Sequence, residues 1–261
     1  MKIWTVDAFT DRMFCGNAAA VCMVQDFLPE SLALQIASEM NLSETAFVKR
    51  IGNSHFYIRW FTPKREVKLC GHATLAAGHI IWQEGISNAD KLQFESIGGS
   101  LSVSKDSKGI TLDLPTEQNL TIVKNFAHIE CALGIPLLSA TSVTDGIIAL
   151  LDSENAVYTL NPDPRKLLEL DYCDIIVTAK AKKDYDFISR VFAPRDGIDE
   201  DPVTGSAHCK LAPFRRNRLR KNEFKAYQAS KRGGALTLKL ISDRTLITGQ
   251  AVTVLTGYLA I

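Results

Sequence analysis

An internal duplication constrains the fold of this chain more than any other sequence feature. Residues 56–64 (FYIRWFTPK) and 187–195 (FISRVFAPR) share the pattern F-x-x-R-x-F-x-P-[KR], at an offset of 131 (residue 56 against residue 187). A double glycine follows in each copy, in GGSLSV at 98–103 and GGALTL at 233–238. Two copies are too few for a solenoid. The sequence therefore predicts two similar domains, each strand–loop–helix–strand–hairpin, related by a pseudo-twofold axis.

Hydrophobic alternation places further strands around these anchors and predicts an α+β fold. The predicted strands cover residues 2–9, 18–24, 44–50, 91–96, 109–114, 146–151, 157–160, 174–179, 235–241 and 251–260. A helix is expected over residues 29–40, and one central helix per copy is expected after Gly71 and Gly205. Pro213 should end or kink the second of these helices. We expect domains at 1–118 and 119–250, with a strand at 251–261 that returns to the first.

Composition excludes several classes of protein. The 30 basic residues balance the 29 acidic ones, which argues against a dedicated nucleic-acid binder. The run from Arg215 to Lys221 is then expected to be a solvated face rather than a nucleic-acid patch. The six cysteines form no C-x-x-C pair. No stretch of the sequence approaches the ~20 apolar residues of a membrane helix. The N-terminus lacks a signal-peptide pattern. A cytoplasmic protein with reduced thiols and no membrane contact is expected.

The first copy carries the strongest candidate for acid–base chemistry. Glu44 leads into an apolar strand, where its charged form would be disfavoured, as a general acid/base requires. At an offset of 131 its counterpart is the apolar residue Ile175. His72 should lie in the first turn of a helix, where it could relay protons. A capping or surface role is the alternative for Glu44, and a capping or packing role is the alternative for His72.

The second copy offers other polar candidates near its helix start. Asp201 could face Glu44, or could merely cap the helix, as Thr204 could. The acids at 199–201 lack the alternating spacing of hard-cation loops, so no metal is expected. The two helix N-termini are expected to bind a substrate carboxylate in one cleft. Cys70 precedes Gly71 and could be a thiolate, but its counterpart Thr204 provides no second thiol.

Several motifs together resemble the PhzF-like branch of the diaminopimelate-epimerase fold. They span the whole chain and include DAFT at 7–10, NLSETAF at 41–47, LCGHAT at 69–74, EDPVTGSAH at 200–208 and QASKRGG at 228–234. The resemblance implies two domains, each a β-barrel or roll around a central helix, and often a homodimer. Ala18, where the family usually has proline, and Pro213 with the following arginines depart from the family pattern.

The resemblance also implies a function and its residues. It implies a cofactor-independent isomerase acting on a small acidic metabolite, with the catalytic residues Glu44, His72 and Asp201. Substrate-binding positions implied by the same motifs are Asn17, Ser43, Gly71, Ala73, Thr204, Gly205, Ser206 and His208. Two alternatives stay open at this point: a racemase or epimerase that uses Cys70 as one base, and a protein-interaction module that has lost the chemistry.

Overall fold

A computed structural model describes all 261 residues of the chain. The chain divides into two compact units, Met1–Leu114 with Leu246–Ile261, and Pro115–Thr245. We call these the first unit and the second unit. The C-terminal strand belongs to the first unit, so the chain returns to where it began.

The first unit is built mainly from nine strands and two helices. The strands are β1 (Lys2–Ala8), β2 (Asn17–Val24), β3 (Glu44–Arg50), β4 (His55–Phe61), β5 (Glu66–Val67), β6 (Lys91–Ser96), β7 (Gly99–Asp106), β8 (Gly109–Pro115) and β18 (Ala251–Tyr258). The helices are α1 (Glu30–Met40) and α2 (Gly71–Gln83).

A central helix organises the first unit. α2 contacts β1, β2, β3, β7 and β18, so the strands surround it. Its sequence is apolar on all sides, and nine of its residues are buried, as expected of a helix enclosed in a core. β2 and β3 are parallel because α1 connects them, and β4 and β6 are parallel because α2 connects them. The neighbouring pairs β1–β2, β3–β4 and β6–β7 are antiparallel.

The second unit contains eight strands and four helices, and β17 (Arg244–Gly249) leads from it to the first unit. The strands are β9 (Thr121–Val123), β10 (Ser139–Val143), β11 (Gly146–Leu150), β12 (Asp174–Lys180), β13 (Phe187–Ala193), β14 (Ile198–Asp201), β15 (Glu223–Gln228) and β16 (Gly234–Ile241). The helices are α3 (Ala127–Leu133), α4 (Glu154–Thr159), α5 (Pro164–Leu168) and α6 (Gly205–Leu219).

The second unit repeats the strand order of the first. β10–β11 are antiparallel, β11–β12 parallel, β12–β13 antiparallel, β13–β15 parallel and β15–β16 antiparallel. The arginine of the repeated motif makes the same two-pronged ion pair in each copy, Arg59 with Glu66 and Arg190 with Glu200. The predicted α+β fold with a duplicated strand–helix–hairpin unit is therefore confirmed.

Strand register identifies the true counterpart of Glu44. Thr45 pairs with Phe61, and Ile175 pairs with Phe192, the repeat equivalent of Phe61. Ile175 is thus equivalent to Thr45, and Glu44 is equivalent to Asp174 at an offset of 130. The sequence-based assignment of Ile175 was wrong, because the connection from β12 to β13 is one residue longer than the connection from β3 to β4. The second copy keeps an acid at this position, where Lys210 Nζ contacts Asp174 Oδ2 at 2.6 Å.

The predicted strand at 157–160 is wrong, because α4 occupies residues 154–159. Ser153 caps this helix by accepting a hydrogen bond from the Ala156 N–H at 3.2 Å. Val157 is buried in the core of the second unit. An apolar run of this length fits either a buried strand or one buried face of a helix. The Ser153 cap favours the helix.

Pro213 does not end the second central helix, which continues to Leu219. A proline within a helix leaves the carbonyl four residues earlier without its usual donor. Here that carbonyl, on Cys209, accepts a hydrogen bond from the Glu117 backbone N–H at 3.3 Å. A neighbouring segment thus replaces the missing bond.

The basic run after Pro213 is not a uniformly solvated face. Arg215 is only 2% exposed, whereas Arg216, Asn217 and Arg218 are exposed on the last turn of α6. The prediction was wrong for Arg215, because the apolar face of the helix continues through its position. None of the six helices is long and apolar enough to span a membrane.

Candidate active site

Three of the predicted site residues lie at one end of a parallel strand pair in the first unit. Asn17 is the first residue of β2, Glu44 is the first of β3, and Ser43 directly precedes it. Because β2 and β3 are parallel and Ala19 pairs with Glu44, both strands begin at the same edge. The Ser43 hydroxyl donates to Asn17 Oδ1 at 3.2 Å. The two predicted binding residues therefore contact each other beside Glu44.

The start of α2 supplies the second part of the cluster. Cys70 is the extended residue before the helix, and Gly71, His72 and Ala73 form its first turn. Cys70, His72 and Ala73 are buried, and Gly71 is half-buried. α2 contacts both β2 and β3. Packing against these strands brings the first turn of the helix to Asn17 and Glu44.

His72 is the centre of this cluster. Its Nε2 lies 3.1 Å from Glu44 Oε2. On the other side of the ring, Nδ1 lies 3.3 Å from Asn17 Nδ2 and 3.5 Å from Cys70 Sγ. An amide nitrogen only donates, so the Asn17 contact leaves the lone pair on Nδ1 and places the ring proton on Nε2, toward Glu44.

Glu44 and His72 approach each other without forming a hydrogen bond. Glu44 Oε2 and His72 Nε2 are both buried atoms without a hydrogen-bond partner, although they are 3.1 Å apart. Their contact therefore lies out of line with the ring N–H. Buried polar atoms normally form hydrogen bonds, and each one without a hydrogen bond costs about 1–3 kcal/mol. Such a pair is suited to a third group that accepts from the ring and gives a proton to the carboxylate.

Burial and charge act in opposite directions on the two neighbouring groups. Burial lowers the pKa of His72, but the adjacent Cys70 and Glu44 raise it by more, so the pKa lies well above its ordinary value. Burial, reinforced by the Glu44 charge, raises the pKa of the Cys70 thiol to about 11. At neutral pH the cluster therefore holds a protonated thiol and an imidazole that keeps its Nε2 proton.

The predicted residues of the second copy form a separate network within the second unit. Asp201 ends β14, and its carboxylate accepts a hydrogen bond from the Thr204 hydroxyl. Gln228 Nε2 donates to the Asp201 carbonyl at 2.7 Å, and Gln228 Oε1 accepts from the Thr204 N–H at 2.9 Å. Gln228 thus fixes both residues before α6, where Gly205 is buried and Ser206 is exposed.

Sequence reasoning gave Gln228 no role, although a signal was present. Phe224 and Ala226 alternate inward on β15. The same alternation points Gln228 into the core, where a polar side chain needs specific partners.

His208 is placed to hold the start of α6 rather than to reach a ligand. It is fully buried, its Nδ1 lies 2.7 Å from the Thr204 carbonyl, and its Nε2 lies 3.4 Å from Ser189 Oγ. Because a carbonyl only accepts, Nδ1 carries the proton and Nε2 accepts from Ser189. Burial lowers the pKa of His208 to about 4, so the ring is neutral. Both ring nitrogens are occupied within the unit.

Comparisons with known proteins identify the family and the fold of this chain. The family model described as phenazine biosynthesis-like protein (PhzC-PhzF) matches residues 6–257. A protein of Halalkalibacterium halodurans, named an uncharacterized isomerase, is 48% identical over 97% of this chain and 96% of its own length. A PhzF-family crystal structure from Enterococcus faecalis superposes with a TM-score of 0.94 at 39% identity, covering 99% of both chains.

A more distant likeness shows the fold alone. The structure of a probable proline racemase from Agrobacterium radiobacter matches 100% of this chain and 93% of its own with a TM-score of 0.67, at 11% identity. The predicted epimerase-like fold and the predicted PhzF-like resemblance are confirmed. The chain belongs to the phenazine biosynthesis-like (PhzC-PhzF) protein family.

Proposed function

We propose that this protein is a cofactor-independent isomerase that moves a proton on a small carboxylate-bearing metabolite, with Glu44 as general acid/base. The family and its relatives named isomerases support the reaction class. The observation that carries the proposal is the buried pair of Glu44 Oε2 and His72 Nε2, 3.1 Å apart and without hydrogen bonds. Both atoms can therefore form hydrogen bonds with a bound substrate.

The proposed reaction needs one proton and no electron acceptor. The Glu44 carboxylate takes a proton from a carbon next to a conjugated acid, and the electron pair of the broken C–H bond moves into the conjugated system. The carboxyl proton of Glu44 exchanges with solvent, and Glu44 then delivers a proton to another carbon, so the product is an isomer. His72 donates its Nε2–H to a substrate oxygen and stabilises the charge that develops there.

The start of α2 provides a place for the substrate carboxylate. The first N–H groups of a helix have no partner within it, and the positive end of its dipole attracts anions. The N-cap residue of α2 makes no side-chain capping hydrogen bond, which favours a ligand at this helix end. Asn17 and Ser43 act in this proposal by orienting His72. The roles of Asp201, Thr204, Gly205, Ser206 and His208 in the reaction stay predictions from the sequence.

Deuterium exchange tests the proposal without knowledge of the natural substrate. The protein is incubated in heavy water with a panel of small cyclic and unsaturated carboxylic acids, and deuterium incorporation is read by mass spectrometry. We expect Glu44→Gln to reduce exchange by about 10²–10⁴-fold, the usual share of general acid/base catalysis. Glu39→Gln, on the exposed side of α1, is the matched control and should exchange normally. Equal exchange in Glu44→Gln and the unmodified protein would remove Glu44 from the mechanism.

The contact between Cys70 and His72 favours one second candidate, a racemase or epimerase in which the thiol takes part. With its raised pKa the Cys70 thiol is suited to donate a proton rather than to remove one. This candidate predicts inversion of a stereocentre and inactivation by thiol alkylation. Full activity of Cys70→Ser on a substrate found by exchange would exclude it.

A further inference from the structure

Glu44, Cys70 and His72 combine three different metal-binding groups in one buried cluster. Each provides one donor atom, and the three donor atoms lie within 4.8 Å of one another. They come from two segments of the chain, the start of β3 and the residues that open α2. The sequence shows no metal motif, because the spacing from Glu44 to Cys70 fits none of the local patterns. Only folding brings the carboxylate to the thiol and the imidazole.

The three donor atoms lie within 4.8 Å of one another, somewhat farther apart than the ligands of a tetrahedral zinc ion. Zinc binds sulfur at about 2.3 Å and nitrogen or carboxylate oxygen at about 2.0–2.2 Å, so its ligand atoms lie roughly 3.3–3.6 Å apart. Cys70 Sγ is 3.5 Å from one nitrogen of His72, and Glu44 Oε2 is 3.1 Å from the other. The thiol contacts Nδ1 and the carboxylate contacts Nε2, so the proposed ion requires one of these side chains to turn toward the nitrogen that the other contacts.

The donor set also selects the kind of metal. Magnesium and calcium prefer oxygen ligands throughout, whereas thiolate with imidazole is typical of zinc. Three protein ligands leave the fourth position open, as in catalytic zinc sites. Two of the donor atoms, Glu44 Oε2 and His72 Nε2, are buried without hydrogen bonds, so a cation would supply the partner that they lack.

We propose that Glu44, Cys70 and His72 form a site for Zn²⁺, and that zinc bound there blocks the carboxylate that the isomerase reaction would use. Binding breaks the Cys70 S–H bond and forms the metal–sulfur bond, the His72 nitrogen that binds the metal gives up any proton it carries, and the displaced protons pass to solvent. Because the thiol must lose its proton, zinc affinity should rise with pH. The Glu44 side chain is 13% exposed, which gives an ion a point of entry. The zinc site does not depend on the proposed reaction.

Cobalt(II) provides a spectroscopic test in the absence of any substrate. The chelator-treated full chain is titrated with Co²⁺, which takes zinc sites and gives a near-ultraviolet charge-transfer band when a thiolate binds it. We expect one Co²⁺ per chain with this band, and stoichiometric displacement by Zn²⁺. The exposed thiols Cys131 and Cys173 are controls, and the double variant Cys131→Ser, Cys173→Ser should keep the band.

Variants at the site decide the proposal. Cys70→Ser should lose the charge-transfer band. Glu44→Gln should keep it but weaken binding by at least about 10–100-fold, the loss that follows even when only an outer hydrogen bond to a ligand is removed. Absence of the band in the unmodified protein, its survival in Cys70→Ser, or unchanged affinity in Glu44→Gln would each overturn the proposal. Binding is read directly, so an inactive enzyme and a missing zinc site give different results.

Discussion

His72 and His208 both lie near the start of a central helix, yet their surroundings give them opposite properties. His72 lies beside Cys70 and Glu44, which raise its pKa well above the ordinary value despite burial. His208 has only the Thr204 carbonyl and the Ser189 hydroxyl, and burial lowers its pKa to about 4. At the residue scale, the neighbouring polar groups decide in which direction the pKa of a buried histidine moves.

The depressed pKa of His208 makes the protein less stable in acid. The ring is protonated below about pH 6.5 in the unfolded chain but only below about pH 4 in the folded protein. Stability is therefore unaffected above pH 6.5 and falls as the pH drops from 6.5 to 4, by roughly 3 kcal/mol from this residue. We expect His208→Gln to flatten this fall in urea unfolding measured across that range. His55→Gln, an exposed control, should keep the slope, and parallel curves for all three proteins would contradict the assignment.

The second central helix shows how an element tolerates a residue that normally interrupts it. α6 runs through Pro213 because Glu117 donates its N–H to the Cys209 carbonyl. Proline in a helix interior usually costs about 3 kcal/mol, through a lost hydrogen bond and a steric clash. Here the carbonyl has found another donor, so part of that cost is absent.

Replacing this proline should therefore help less than helix propensity suggests. We expect Pro213→Ala to raise the free energy of unfolding by less than about 1 kcal/mol. The alanine N–H must share the Cys209 carbonyl with Glu117, and the unfolded chain gains conformational freedom when proline is removed. Urea unfolding measures the difference. A gain of about 3 kcal/mol would show that the Glu117 bond does not compensate for proline.

At the scale of the whole molecule, the two copies keep one fold and differ in what fills it. The strand pair that faces the central helix is Val48 with Ile58 in the first unit, and Thr178 with Ser189 in the second. The helix position equivalent to Ile81 is Arg215, counted from the glycine that opens each helix. Duplication has thus left one core apolar and made the other partly polar.

Burial of the Arg215 guanidinium in that partly polar core costs free energy of folding. Its Nη2 donates to Thr178 Oγ1 at 2.6 Å and its guanidinium lies 5.2 Å from the Phe187 ring centroid, but its Nε has no hydrogen bond. Burial lowers its pKa to about 9.

We therefore expect Arg215→Met to leave stability unchanged or to increase it by about 1–4 kcal/mol, as when other buried charges are replaced by apolar side chains. The Thr178 hydroxyl keeps its bond to the Ile188 carbonyl in this variant. Urea unfolding provides the measurement. A loss of stability above about 1 kcal/mol would mean that the guanidinium contributes more than its desolvation costs.

The sequence by itself determined the duplication, the alternating strands and the glycine turns. These patterns depend on residues close to one another along the chain, and a motif repeated in order requires a repeated fold. One glycine of each double glycine, Gly99 and Gly233, adopts positive φ, of 112° and 64°, a conformation open to glycine at no steric cost. Glu44 and His72 were also identified from sequence, although their contact was not visible there.

Only the tertiary structure decided which groups meet. Asn17 and Glu44 reach opposite nitrogens of the His72 ring because parallel pairing of β2 with β3 and packing of α2 bring distant segments together. The equivalence of Glu44 with Asp174, the helix at 154–159 and the continuation of α6 past Pro213 likewise depend on strand register, on a cap and on a donor from another segment. Such contacts depend on packing between elements that are distant in the sequence, so the local sequence does not predict them.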